Sequence, residues 1–337
     1  MIGFSSVAAF DAALASLPAP DRAARAAAAE RQAQLTKPPG SLGRLEAIAI
    51  DLAGWQGRER PRIDRGRAVV FAGNHGVAAR GVSAFPPEVT AQMVANFASG
   101  GAAINTLAAA SGLELRVVPL DLDRPTADFT RGPAMDAAEC LAALNAGAAV
   151  VEDGIDLLVL GEMGIGNSTA AAALCARSFG GSGAEWVGPG TGVDGDGLAR
   201  KTAAVDAALA RHAEAPRTPF ETLRRVGGRE IAAMAGAVVA ARTARIAVVL
   251  DGFIGSAAIA PIAAAWPRIA DHCIAGHVSA EPGHAKLLAR LELDPLLALG
   301  MRLGEGSGAA VAAGVIRAAL AAHDGMATFA EAGVAGG

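Results

Sequence analysis

Residues 156–174, DLLVLGEMGIGNSTAAAAL, run an apolar stretch into three glycines, a Ser-Thr pair and an alanine-rich segment. Such a turn presents backbone N–H groups and a helix N-terminus, which together suit one phosphate. Gly161 to Ser168 reads G-x-x-x-x-G-N-S, a P-loop in every position but one. Asn167 stands where the lysine that reaches the β and γ phosphates belongs, which argues against a nucleoside triphosphatase. The dinucleotide fingerprint is absent too: Gly161, Gly164 and Gly166 are spaced G-x-x-G-x-G, and no strand ending in an acid follows about 20 residues on. A glycine turn serving packing alone is the competing reading.

Two further glycine-rich runs carry candidate chemistry. VGPGTGVDGDG, residues 187–197, is followed by Lys201. Its amides and the lysine would complete a phosphate site from the open side; the alternative is a surface loop whose aspartates make local turns. In LGEGSGAAVAAGVIRAAL, residues 303–320, Glu305 stands between glycines at the start of a long apolar helix. A carboxylate there is stabilised as the anion and is either a cap or a general base open to close approach. No H-E-x-x-H or clustered Cys/His spacing occurs, Pro282 and Gly283 separate His277 from His284, and no G-x-S-x-G elbow is present. The expected chemistry is metal-free, cofactor-free and non-covalent.

These groups need elements to hold them. Five strand-like runs appear: 68–73, 113–122, 156–161, 246–252 and 271–279, with helical patterns between them. Continuous apolar strands alternating with helices predict an α/β fold, a Rossmann-like parallel sheet with helices on both faces. Residues 60–282 are expected to form this large domain. A smaller helical domain is expected from 1–59 and 283–337, with helices over 21–34 and from about Leu42, behind Ser41, to Trp55. Polar residues follow every strand: Asn74 and His75, then Asp121 and Asp123, then Glu162, Asp251, and finally His277, Ser279 and Glu281. Ligands of open α/β sheets bind at that edge.

Composition narrows the class. The 337 residues are 52% hydrophobic, much of it alanine, with 42 glycines and no tyrosine, the texture of a close-packed α/β enzyme. A net charge of −4 gives no electrostatic footprint for nucleic acid or an anionic membrane. The apolar stretch from Gly252 to Pro267 is too short to span a bilayer, and the first 15 residues lack the basic start of a signal peptide. Cys140, Cys175 and Cys273 are scattered, as buried thiols in a reducing cytoplasm would be.

Seven ordered blocks between about residues 35 and 320 resemble one family: LTKPPGSLGRLE, VVFAGNHGVAARGVSAFPPEVTAQMV, GEMGIGNSTAAAAL, VGPGTGVD, VVLDGFIGSAA, GHVSAEPGH and LGEGSGAA. The family is nicotinate-nucleotide–dimethylbenzimidazole phosphoribosyltransferase, of the lower-ligand branch of cobalamin synthesis. The resemblance implies transfer of the phosphoribosyl group of nicotinate mononucleotide to 5,6-dimethylbenzimidazole, by a homodimer with no cofactor. It implies Glu305 as proton acceptor and Glu162 beside the nucleotide. It implies an aromatic-base pocket at Ser83, Phe85, Gln92 and Met93, and phosphate contacts at Gly164, Ile165, Gly166, Asn167, Gly190, Thr191 and Lys201. Phe85 and Asn74 depart from a frequent tyrosine and aspartate of that pattern; the hydroxyl missing at Phe85 bears on the preferred base. On the residues alone, a sugar-phosphate lyase or isomerase and a non-catalytic nucleotide-binding module remain open.

Overall fold

The computed structural model describes residues 3–190 and 192–335. In chain order the helices are α1 (Val7–Ala15), α2 (Arg22–Gln34), α3 (Arg44–Gln56), α4 (Glu88–Ser99), α5 (Ala103–Ala110), α6 (Ala137–Ala148), α7 (Asn167–Phe179), α8 (Gly183–Trp186), α9 (Gly195–Arg211), α10 (Pro219–Val226), α11 (Arg229–Thr243), α12 (Gly252–Ala257), α13 (Ala260–Ala265), α14 (Pro282–Leu291), α15 (Ser307–Gly325) and α16 (Phe329–Ala332). The strands are β1 (Gly66–Ala72), β2 (Leu113–Pro119), β3 (Leu157–Met163), β4 (Ala247–Leu250) and β5 (Cys273–Ala275). They form one parallel sheet in the order β2-β1-β3-β4-β5. The chain therefore leaves β1 in one direction and later fills the other side from β3 onward. The crevice at such a reversal is where doubly wound folds take ligands.

The apolar runs are continuous because both faces are covered. Val69, Phe71, Leu158, Leu160, Val248 and Leu250 enter one core, with α6, α7 and α11. Their neighbours Ala68, Val70, Leu157, Val159, Ala247 and Val249 enter the other, with α3, α5 and α15. The period of two sends alternate side chains to opposite layers. Helix α15 thus packs on the sheet itself through Ala309, Ala310, Ala313 and Ile316. The expected division at 282/283 runs through this layer: α15, assigned to the smaller unit, shares a core with β1, β3 and β4.

Two local expectations shift. Helix α3 starts at Arg44, after Gly43 at φ 56°, and not at Leu42. Ser41 does not cap it; Glu46 reaches back to the Leu42 N–H (2.9 Å) and pairs with Lys37 (2.8 Å). Helix α1 lies outside the expected set and is capped by Ser6, whose side chain accepts from Ala9 N. The three cysteines are free and buried, and no described helix is long and apolar enough to cross a membrane.

Candidate active site

The end of β3 supplies the first wall. The chain turns over Gly164–Gly166, with Gly166 at φ 94°, and α7 begins at Asn167 with no side-chain cap. Of the first-turn N–H groups of α7, that of Asn167 donates to Gly164 O (3.3 Å) and that of Thr169 to Gly166 O (3.1 Å), while Ser168 between them makes no such backbone bond among the described residues. A Cβ on Gly164 would run into the Gly73 carbonyl and the Glu230 carboxylate, so the approach of this turn to the end of β1 requires glycine. In front lies a cleft open to solvent, with about 830 Å³ of empty space when that open solvent is counted.

Ser83, Glu162, Gly164, Ile165, Gly166 and Asn167 line this cleft, together with Gly190 and Lys201. Three expected contacts are already engaged. The Asn167 side-chain amide donates to Glu162 Oε2, and its backbone N–H to Gly164 O (3.3 Å). The Ile165 N–H donates to Thr90 Oγ1 at 3.3 Å. The Gly190 N–H donates to Glu281 Oε1 at 2.8 Å. Lys201 is buried, donating from Nζ to Gly188 O (2.5 Å) and Ser168 Oγ (3.0 Å). Burial pulls its pKa down, against the charge of Glu281.

The expected aromatic-base group is not gathered in this chain. Only Ser83 of the four lines the cleft. Phe85 is 49% exposed, and Gln92 is exposed on α4. Met93, about 100° further round that helix, packs with Met163 on the core that holds Ile104. Thr191 falls outside the described residues.

Strand ends divide in the same way. Glu162, Asp251, His277, Ser279 and Glu281, from the ends of β3, β4 and β5, line the cleft. Those of β1 and β2 do not. Asn74 is consumed by Leu122 O (3.0 Å) and Thr90 Oγ1 (2.7 Å), and His75 by Glu230 at 2.5 Å. Asp121 turns to Arg124 on the edge strand's surface. Arg302 is a cleft residue that the motifs do not single out, its Nη1 at 3.4 Å from Gly190 O. It stands two residues before Gly304, a cation beside a glycine run, the same signal that marks Lys201. Ser168, which holds Lys201, is a second such residue.

Glu305 does not itself line the cleft; it follows Gly304, which does. Gly304, Glu305 and Gly306 have φ of 83°, 64° and 85°, three consecutive left-handed residues. For a glutamate this conformation costs on the order of 1 kcal/mol and persists only where surroundings over-determine it. The Glu305 N–H donates to Glu162 O (3.2 Å), and its backbone lies against Gly161, where a Cβ would not fit. The side chain is buried, and Oε2 has no partner among the described residues. Burial raises the Glu305 pKa, the Ile104 N–H in the first turn of α5 lowers it, and the charge of Asp251 raises it. Glu162 is pushed up to about 8, first by burial and then by Asp251 and Glu230, so it carries a proton at neutral pH.

Comparison with known proteins identifies the family. A family model described as phosphoribosyltransferase matches residues 17–334. The nicotinate-nucleotide–dimethylbenzimidazole phosphoribosyltransferase of Novosphingobium aromaticivorans is 71% identical over 337 residues, all of both chains. The chain belongs to the nicotinate-nucleotide–dimethylbenzimidazole phosphoribosyltransferase family. The enzyme of that name from Cereibacter sphaeroides is 60% identical over 334 residues, 99% of each chain. A crystal structure of the family's enzyme from Thermus thermophilus superposes with a TM-score of 0.87 at 43% identity, covering 94% of this chain and 100% of that one. The fold, the enzyme class and the family's place in cobalamin synthesis follow together.

Proposed function

We infer that the chain moves the 5-phosphoribosyl group of nicotinate mononucleotide to 5,6-dimethylbenzimidazole, giving α-ribazole 5′-phosphate and nicotinate. The observation that supports this most is one juxtaposition. A buried carboxylate oxygen of Glu305, without a partner among the described residues, stands next in the chain to Gly304 of a cleft that carries a glycine-capped helix start and Lys201. The phosphate rests on the Gly164–Gly166 turn and the first amides of α7, with Lys201 and Arg302 on its open side. The aromatic base lies towards Met163, Met93 and Ser83.

The chemistry needs little more. The nicotinate ring of the nucleotide is a cationic pyridinium, so its nitrogen leaves neutral when the C1′–N bond breaks, and no general acid is required. The benzimidazole forms the new C1′–N bond with one nitrogen and gives the proton of the other to Glu305, so one general base suffices. Apolar burial makes that carboxylate a stronger base than it is in water. A protonated Glu162 adds no negative charge beside the leaving nicotinate carboxylate. The assembly is a homodimer, and the buried thiols suit the cytoplasm.

Incubating the purified protein with nicotinate mononucleotide and dimethylbenzimidazole, with products identified by mass, tests the reading. Nicotinate released only when the base is added is the expected result. Release without base points to a lyase or isomerase, and binding without turnover to a nucleotide-binding module.

A further inference from the structure

Helix α15 has no cap of its own. Its N-cap position is Gly306, which has no side chain to accept the orphan N–H groups of the first turn. The acceptor comes from another strand. Asp251, at the end of β4, accepts the Gly306 N–H on Oδ2 (3.1 Å) and the Ala309 N–H on Oδ1 (2.9 Å). His277, at the exit of β5, holds the same carboxylate from the other side, its Nε2 at 3.3 Å from Oδ1. Both side chains are almost wholly buried, at 2% exposure for Asp251 and 3% for His277. The ring of His277 is packed flat against Gly308, where a Cβ would not fit.

The segment that this carboxylate grips is the one that carries Glu305. Three left-handed residues in a row are not a conformation that the chain holds by itself. Glu305 N–H is fixed to Glu162 O, and the residue after it is fixed to Asp251. With both ends held, the Glu305 side chain leaves the backbone in one direction. We propose that Asp251 is a positioning residue for the transfer reaction: braced by His277, it fixes the Gly304–Gly306 segment and so aims the Glu305 carboxylate at the aromatic base. This rests on reading Glu305 as the base.

The charged neighbours of Glu305 are few. Glu162 faces it from β3 and Asp251 from the end of β4, with His277 behind Asp251; Glu230 of α11 acts through Glu162. Helix α5 contributes the Ile104 amide and no charge. Asp251 raises the Glu305 pKa, so removing its charge lowers it and moves the acid limb of activity to lower pH. A cap acting on fold stability alone would leave that limb in place.

The test is Asp251→Asn, which keeps the shape but sets an NH₂ against one of the two N–H groups. Misaiming a base by about an ångström costs up to roughly 100-fold, so kcat is expected to fall by about 10- to 100-fold. KM for nicotinate mononucleotide should stay within about threefold, and the acid limb of the pH profile should move down. In a Glu305→Gln background the second substitution should add almost nothing, within about threefold, because both act on one group. A raised KM with unchanged kcat, multiplying losses in the double variant, or an unmoved acid limb would each overturn the proposal. Should Asp251→Asn yield no folded enzyme, His277→Gln tests the aim through the brace: a smaller kcat loss with KM held is expected, and a raised KM with unchanged kcat, or losses that multiply with Glu305→Gln, would overturn the proposal, the acid limb staying in place because the Asp251 charge remains. Glu305→Gln alone separates the two readings: it should lose about 10²–10⁴ in kcat, and retention of more than about a tenth of kcat sinks the base itself, whatever Asp251 does.

Discussion

At the residue scale, the ammonium of Lys201 is satisfied only by a carbonyl and a hydroxyl, with no carboxylate at bonding distance among the described residues. A buried cation so held is a ready partner for an anion. A contact to phosphate is present in ground and transition states alike, so Lys201→Ala should raise KM for nicotinate mononucleotide more than it lowers kcat. One charge-assisted hydrogen bond is worth roughly 1.5–3 kcal/mol, about 10- to 100-fold in KM. Steady-state kinetics check it, and an unchanged KM with kcat down a hundredfold would remove Lys201 from the phosphate site. Glu162 makes a prediction about stability. Its folded pKa of about 8 lies above its ordinary value of 4.5, so between those values the folded protein holds a proton that the unfolded chain has released. Stability on this account falls as pH rises across that window. Glu162→Gln keeps the hydrogen-bonding shape without the ionisation. Its melting temperature should exceed that of the parent increasingly from pH 5 to pH 8, and a constant difference would show that Glu162 titrates normally.

At the element scale, sequence reasoning found β1, β3 and β4 because each is covered on both faces and reads as a largely apolar run, whereas β2, LELRVVP at the sheet edge, is only partly buried and carries Glu114 and Arg116. Such reasoning could not order the strands. Val69 and Phe71 on β1 are interchangeable in character with Leu158 and Leu160 on β3, so which strand lies beside which is decided by helix packing that no single run encodes. The α6–α11 pair is one such contact. Gly147 on α6 lies against the Ala233 backbone, and Gly236 on α11 against that of Leu144. The glycines let two alanine-rich helices approach backbone to backbone beneath the sheet. Gly147→Ala sets two effects in opposition. Helix propensity favours alanine by about 0.8–1.0 kcal/mol, while a methyl group forced into the Ala233 carbonyl must push the helices apart, at roughly 1–3 kcal/mol. Because the obstacle is backbone and not a movable side chain, the clash wins. Denaturant unfolding should show a net loss of stability; a gain would mean that the helices separate freely.

At the scale of the whole molecule, the site was legible where a residue's surroundings in sequence are its surroundings in space. Glu162 and the Gly164–Gly166 turn are of that kind. Roles that depend on a distant segment were not legible. Gly190 read as a phosphate contact but gives its N–H to Glu281, 91 positions away. The aromatic-base pocket shows the same limit one level up. The chain buries its surface as a monomer of its size does: 12886 Å² remains accessible, against about 12,700 Å² expected for 33.5 kDa. A partner is therefore not needed to complete the core. Yet Phe85, Leu299 and Leu303 are 49%, 62% and 52% exposed, and Leu303 lines the cleft. Exposed apolar side chains of this size, one of them on the cleft, are a poor arrangement for a solitary chain and a good one for a face that a second copy covers. The proposed homodimer accounts for them. Light scattering on the eluting protein should give twice 33.5 kDa, about 67 kDa. Leu299→Arg should lower the mass towards 33.5 kDa while leaving the far-ultraviolet circular dichroism unchanged, because the core is complete without a partner. A parent protein that elutes at 33.5 kDa would leave the three side chains to the substrate alone.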